Sequence, residues 1–229
     1  MPILNMIYWA IWWGGWWWQP WANTLLYYTF DWDVLDHSPS WLYDWTRWGT
    51  AAYTTWLNGK QCGDFSLWND NIVTASCSVS PATVSLLMKW NMTGYDGYDR
   101  KQIIWITTTW ENSWCLRAIP RSTGGQKAWK LIAYCSWWWI EINNPSYVDN
   151  DWHHYCLTTD WTTSYLYFDW TLIGQKSWDL TAHGSTLCIW RIPWSNQYKL
   201  NWCIQNLILE SAQWSAQDIT DYCSEWLWS

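Results

Sequence analysis

Glycine is scarce in this chain, at 11 residues of 229, where ordinary usage is about 7%. A protein with many tight turns needs more, because turns use positive φ, which glycine alone adopts without steric cost. Charge is scarce too: only 14% of residues are Asp, Glu, Lys or Arg. The 12 Lys and Arg are nowhere clustered and are outnumbered by 19 Asp and Glu, for a net charge of −7. That balance argues against a phosphate-backbone partner, so no nucleic acid is expected. No run of 18 or more uniformly apolar residues occurs, and no membrane span is expected. The opening MPILNMIYWAIWW has no basic n-region and no clear small-residue cleavage site, so no signal peptide is expected. G-x-S-x-G, H-E-x-x-H, phosphate-loop and G-x-G-x-x-G signatures are all missing.

What the chain has in excess is tryptophan, 31 residues. Three readings compete. The indoles form a carbohydrate-binding surface, since their faces stack on sugar rings. They form a belt at a membrane interface. Or many are not tryptophan in the native protein: some bacterial lineages read the UGA codon as glycine, and other codes read it as tryptophan. Placement favours the third. Asp31-Trp32-Asp33, Ser40-Trp41, Asp44-Trp45, Asp160-Trp161 and Asp169-Trp170 are slots where turns take Asp-Gly or Ser-Gly. The runs Trp12-Trp13, Trp16-Trp17-Trp18 and Trp137-Trp138-Trp139 make poor packing as indoles and good sense as glycines. If Trp161 and Trp170 are tryptophan, both are expected at positive φ with their indoles exposed at turn tips.

Half of the residues are hydrophobic, enough for one large β-sandwich. Residues 1–22 read as an arm or linker, glycine-rich under the third reading, and 23–229 as one domain. Strands are expected at Leu25–Phe30, Cys62–Trp68, Ile72–Ser78, Ala82–Trp90, Gln102–Thr109, Cys115–Ile119, Ala128–Cys135 and Ile140–Ile142. Trp152–Thr159, Ser164–Phe168, Ser185–Ile192 and Tyr198–Glu210 complete the set, chosen for β-branched and aromatic content bounded by turn residues. Arg121–Gly125 reads as a hairpin turn. In Ala82–Trp90, Thr83, Ser85 and Leu87 fall on one face and Val84, Leu86 and Met88 on the other. Ser215 with Asp218 three residues on forms a capping-box variant that starts a short C-terminal helix.

Asp151–Gly174, DWHHYCLTTDWTTSYLYFDWTLIG, resembles the W-H-H-x-x-x-T-x-D-G…L-Y-x-D-G-x-x-x-G hairpin of laminin G-like domains, members of the concanavalin A-like jelly rolls. Trp161 and Trp170 stand where that family has glycine. ATVSLLMKW resembles the family's F-T-V-S-x-W-V-K strand, STLCIWRI its L-x-I-G strand, and YKLNWCIQNLILE its closing strand, with Trp202 at a glycine. WSAQDI resembles its L-S-x-x-E-I helix. The resemblance spans about Leu25 to Tyr222 and is strongest from Asp151 on. It implies an all-β fold, a two-sheet antiparallel β-sandwich with a short C-terminal helix.

Candidate chemistry is sparse. His153 and His154 point to opposite faces of one strand and cannot share a metal. His154, on the face of Trp152 and Cys156, reads as a core histidine bonded to a neighbour. Asp31, Asp33 and Asp36, with Asp149, Asn150 and Asp151, supply oxygen ligands on loops, as calcium requires. Related jelly rolls often carry a structural Ca2+, and solvated turn aspartates are the competing reading. Tyr95, Asp96, Tyr98, Asp99 and Arg100 combine aromatic faces with hydrogen-bonding groups on a rim loop, which suits a sugar. The eight cysteines leave disulfides and buried thiols both open; Cys203 and Cys223 flank the closing strand and helix and could staple the C-terminus. Jelly-roll glycosidases need closely spaced carboxylates on one strand, and Trp139–Asn143 offers Glu141 alone.

The expected function is therefore non-catalytic recognition of a cell-surface glycan or protein, as part of a secreted adhesin or a virion or tail protein. The arm would join the module to a larger assembly, a layout that suits a phage structural protein. A glycoside hydrolase on the same fold and a purely structural self-assembling module are the alternatives.

Overall fold

The structure is a computed structural model that describes residues 22–29, 37–38, 53–55, 61–64, 72–79, 81–90, 101–107, 114–123, 126–135, 138–143, 151–177, 184–189 and 202–227. Its strands, in chain order, begin with β1 (Thr24–Tyr28), β2 (Tyr53–Thr55), β3 (Gln61–Asp64), β4 (Ile72–Val79), β5 (Thr83–Trp90), β6 (Lys101–Thr107) and β7 (Trp114–Thr123). They continue with β8 (Gln126–Cys135), β9 (Trp138–Asn143), β10 (Trp152–Thr159), β11 (Ser164–Phe168), β12 (Thr171–Lys176), β13 (Gly184–Ile189) and β14 (Trp202–Glu210). A single described helix, α1 (Ala216–Leu227), ends the chain. Of the 1–22 arm, only Ala22 is described.

The strands form two antiparallel sheets. The larger runs β12-β11-β10-β5-β14-β3-β2, with β1 also paired to β14. The smaller runs β4-β13-β6-β7-β8-β9. The fold is thus the antiparallel β-sandwich with a C-terminal helix that the sequence predicted. Alternation assigns the faces of the larger sheet. Val84 and Leu86 of β5 lie opposite Leu157 and Tyr155 of β10 and, with Leu166, Ile204, Leu207 and Leu209, form a buried apolar inner face. Fully burying each such side chain is worth about 1.5–3 kcal/mol. Thr83, Ser85 and Leu87 share the outer face with His154, Cys156 and Thr158.

The inner face meets the smaller sheet most tightly at Gly174 of β12. A Cβ there would lie 2.6 Å from Ile140 Cγ2 and 2.9 Å from Ile142 Cδ1 of β9, so this seam accepts glycine alone. The outer face is covered by Trp214 and α1. Tyr27, Leu87, Cys156, Tyr167 and Ile208 pack with Trp214, Ile219, Tyr222 and Cys223 in one buried cluster. The capping box forms reciprocally: Ser215 N–H donates to Asp218 Oδ2 at 2.7 Å, and Asp218 N–H to Ser215 Oγ at 3.2 Å.

Several expectations need correction. Residues 171–176 form a strand, β12, that is absent from the strands expected above. The turn at Arg121–Gly125 is shorter, because β7 runs through Thr123 and β8 begins at Gln126; two-residue loops match the twist of the strands they join. Asn206 has φ 50° and marks a bulge that shifts the β14–β5 register between Gln205 and Ile208. Cys203 and Cys223 do not staple the C-terminus: with Cys62 and Cys156 they stand as thiols. Trp161 has φ 71° and its indole is 51% exposed, as expected of a tryptophan in that slot. At the next turn Trp170 is also exposed, at 44%, but the positive φ falls one residue earlier, on Asp169, at 53°.

Candidate functional site

The two histidines split as strand geometry requires. His153 stacks on Phe168, ring centroids 4.4 Å apart, and its Nδ1 lies 3.2 Å from Asp169 Oδ2. His154 lies on the outer face under α1. Its Nε2 is 2.7 Å from Ser85 Oγ, and its Nδ1 is 3.1 Å from Cys223 Sγ and 3.3 Å from the Asp169 carbonyl. That carbonyl can only accept. One tautomer therefore serves all these contacts: Nδ1 donates, and Nε2 accepts from the Ser85 hydroxyl. The Asp169 turn is held in place by its N–H donating to the His154 carbonyl at 2.7 Å, while Asp169 Oδ1 accepts from His154 N–H at 2.9 Å.

A serine hydroxyl bonded to an imidazole is the contact a nucleophile makes with its base. Here it has no route to substrate, since Ser85, His154 and Cys223 are each 0% exposed. The Asp169 carboxylate engages His153 and a backbone N–H and not the His154 ring. Burial lowers the pKa of His154 to about 4, against a smaller raising effect of Asp169, and burial pushes the Cys223 thiol up. Both groups are neutral at pH 7. The constellation joins helix to sheet, and His154 is the bonded core histidine that the sequence suggested. Ser85 and Asp169 as its partners could not be read from the sequence, because pairing across strands sets them there.

A second polar network aims the chain into α1. Thr83 Oγ1 donates to the Ala212 carbonyl at 2.8 Å and lies 2.7 Å from Thr158 Oγ1. Trp214 N–H donates to both hydroxyls at 3.0 Å. Glu210, raised in pKa by burial, accepts from Thr24 Oγ1 at 2.8 Å. Both amide atoms of Gln205 are buried without a hydrogen-bond partner. At the exposed β10–β11 turn, Asp160 Oδ1 accepts from Thr162 N, Thr162 Oγ1 and Thr163 N at 2.8, 2.6 and 2.7 Å. These bonds hold the Asp160 carboxyl down at about 2.

The stretches expected to form rim loops are the remaining candidates. Tyr95, Asp96, Tyr98, Asp99 and Arg100 lie outside the described residues, as do Asp31, Asp33, Asp36 and Asp149. Asp151 is described and exposed, at the entry to β10. Among the described residues no group of three or more His, Cys, Asp or Glu could hold a metal ion. The attachment points of these loops are nonetheless informative. β5 ends at Trp90 beside Trp202, and Lys89 lies opposite Trp152, where β10 begins. β1 runs toward the same end, from Thr24 opposite Glu210 to Tyr28 opposite Leu207. The three candidate stretches are thus rooted toward one rim of the larger sheet, which the Asp169-Trp170 turn also borders. The Asp160 turn lies at the opposite rim. On β9, Glu141 is half-buried.

No protein-family model and no curated protein matches the chain. Solved structures do match. Domain 4 of AbnA, a GH43 extracellular arabinanase from Geobacillus stearothermophilus, solved with arabinotriose, is similar over 88% of this chain and 98% of its own, with TM-score 0.62 and 15% identity. The botulinum neurotoxin serotype D binding domain is similar over 90% of this chain, with TM-score 0.62 and 16% identity. The serotype C1 binding domain is similar over 88%, with TM-score 0.63 and 13% identity. This chain spans about half of each toxin binding domain, 52% and 51%. At such identities the likeness establishes the fold alone: an antiparallel β-sandwich. Among the described residues, no helix is long and apolar enough to cross a membrane.

Proposed function

We propose that this chain is a non-catalytic recognition module of the laminin G-like type that binds a glycan, or a protein bearing one, outside the cell or on a virion. The observation that supports the reading is the direction of three described strands of the larger sheet: β1 and β5 run toward, and β10 starts from, the same end, and the chain stretches holding Asp31–Asp36, Tyr95–Arg100 and Asp149–Asp151 adjoin those strand ends in sequence. Fold likeness to an arabinanase domain solved with arabinotriose supports it, as does likeness to about half of a chain of botulinum neurotoxin type C, a toxin whose cell entry depends on interaction with two ganglioside molecules. Tyr95 and Tyr98 would stack on sugar rings while Asp96, Asp99 and Arg100 bond hydroxyls, with Ca2+ on the Asp31, Asp33, Asp36, Asp149 and Asp151 carboxylates holding the loops. The arm at 1–22 would tie the module to a larger adhesin or tail assembly. A glycan array is the test. Hits that weaken at least tenfold in Tyr98→Ala and Arg100→Ala variants are expected. An array without hits, together with stable oligomers in solution, would favour a self-assembling structural module instead.

We infer also that tryptophans in glycine turn slots, Trp161 first among them, are glycine in the native protein. Support comes from the positive φ of Trp161 and its exposed indole. Peptide mass spectrometry of protein from its natural source decides it: glycine at 161 is expected, and intact tryptophan there refutes the reading.

A further inference from the structure

We infer that α1 is an acid-released clasp over the outer face of the larger sheet, with His154 as its catch. α1 lies outside the sandwich and contributes no strand, so it can leave while both sheets stay paired. It is held by Trp214, Ile219, Tyr222 and Cys223 packed on Leu87, Cys156, Tyr167 and Ile208. Into that cluster His154 brings an imidazole that is 0% exposed. Around it stand Ser85 from β5, Cys156 two residues on along β10, Asp169 from the β11–β12 turn, and Tyr222 and Cys223 from α1. The Tyr222 ring lies 5.0 Å from the imidazole. Lys89 lies opposite Trp152, two residues from His154 along β10.

Of these groups only Asp169 carries a negative charge at neutral pH, and its carboxylate is engaged by His153 and by the backbone N–H of His154. Tyr222 and Cys223 are kept neutral by burial. A second proton on the imidazole takes Nε2 from accepting to donating and sets a full charge beneath α1. Water reaches that charge only when the helix lifts.

The sign follows. The folded value of His154, about 4, lies below the ordinary imidazole value of 6.5. The clasp is therefore fully closed above pH 6.5 and weakens as pH falls through the interval down to about 4. Glu210, also on the outer face, has a raised folded value; its protonation in acid favours the fold and opposes His154. A His154→Gln variant separates the two.

Hydrogen exchange read by mass spectrometry on the full chain, at pH 7.5 and 5.0 and corrected for intrinsic rates, is the test. Opening across 216–227 should rise about thirtyfold at the lower pH, while β7 and β8 keep their protection. In step with it, 4,4′-dithiodipyridine, which reacts with thiols in acid, should label Cys156 and Cys223 at pH 5.0 and not at 7.5. His154→Gln should flatten the response, and His153→Gln should leave it in place. A response unchanged in His154→Gln, or acceleration equal in β7, β8 and α1, overturns the inference. Should His154→Gln fail to fold, an NMR titration of the His154 ring in the unaltered protein decides: a midpoint below 5 supports the clasp, and one near 6.5 overturns it.

Discussion

The two faces of the larger sheet are built from the same strands and held by different physics. The inner face, with Val84, Leu86, Leu157, Leu166, Leu207 and Leu209 buried, is stabilised by area removed from water and by close packing. The outer face is just as dry, yet it carries Thr83, Ser85, His154, Thr158, Gln205 and Glu210, all at or below 1% exposure. There, hydrogen bonds decide which segment covers the sheet and in what register. An apolar face accepts many partners of the right volume. A face with threonine hydroxyls set for one backbone N–H, that of Trp214, accepts one.

The contrast can be broken from either side. Leu86→Ala, on the inner face, should cost about 2–5 kcal/mol through lost transfer energy and a cavity, measured by urea denaturation. Thr158→Val, on the outer face, should cost about 1–3 kcal/mol, because a buried hydroxyl pair and a shared N–H lose a partner; the loss should appear as early exchange in α1. Gln205→Leu should act in the opposite direction, raising stability by about 1–2 kcal/mol, since it removes two buried polar atoms that bond nothing. A lower denaturation midpoint in that variant would show that the amide has a role. Trp161→Gly should stabilise by about 1–2 kcal/mol by relieving a bulky residue at φ 71°. Ser215→Ala should remove about 1 kcal/mol of capping, the smallest change, visible in helical circular dichroism.

The inner face was the legible one. Alternation in ATVSLLMKW sorts Val84, Leu86 and Met88 from Thr83, Ser85 and Leu87 without knowledge of any neighbour. The capping box and the β10–β11 hairpin were legible for the same reason: both are local. What stayed hidden depends on distant pairing. Ser85 meets His154 across 69 residues of chain, and Thr83 meets the Ala212 carbonyl across 129. The Asn206 bulge was hidden because asparagine takes positive φ in some settings and not in others. β12 was missed because TLIGQK has a glycine at its centre, which reads as a breaker until β9 is seen to press against it. For the candidate site, the sequence offered residue types in three stretches, and the topology added that the described strands next to them, β1, β5 and β10, have their adjoining ends at one end of the larger sheet.

Gly174 has a further consequence. Packed sheets ordinarily stand about 10 Å apart, a spacing that leaves room for two layers of side chains. At the β12–β9 seam one of those layers is missing, and Ile140 and Ile142 reach to the backbone of the facing strand. At this point the two sheets are therefore set side chain against backbone, with no slack between them. Any side chain added at 174 would act as a lever, since it could be housed only by moving Ile140 and Ile142, and with them the sheet to which they belong.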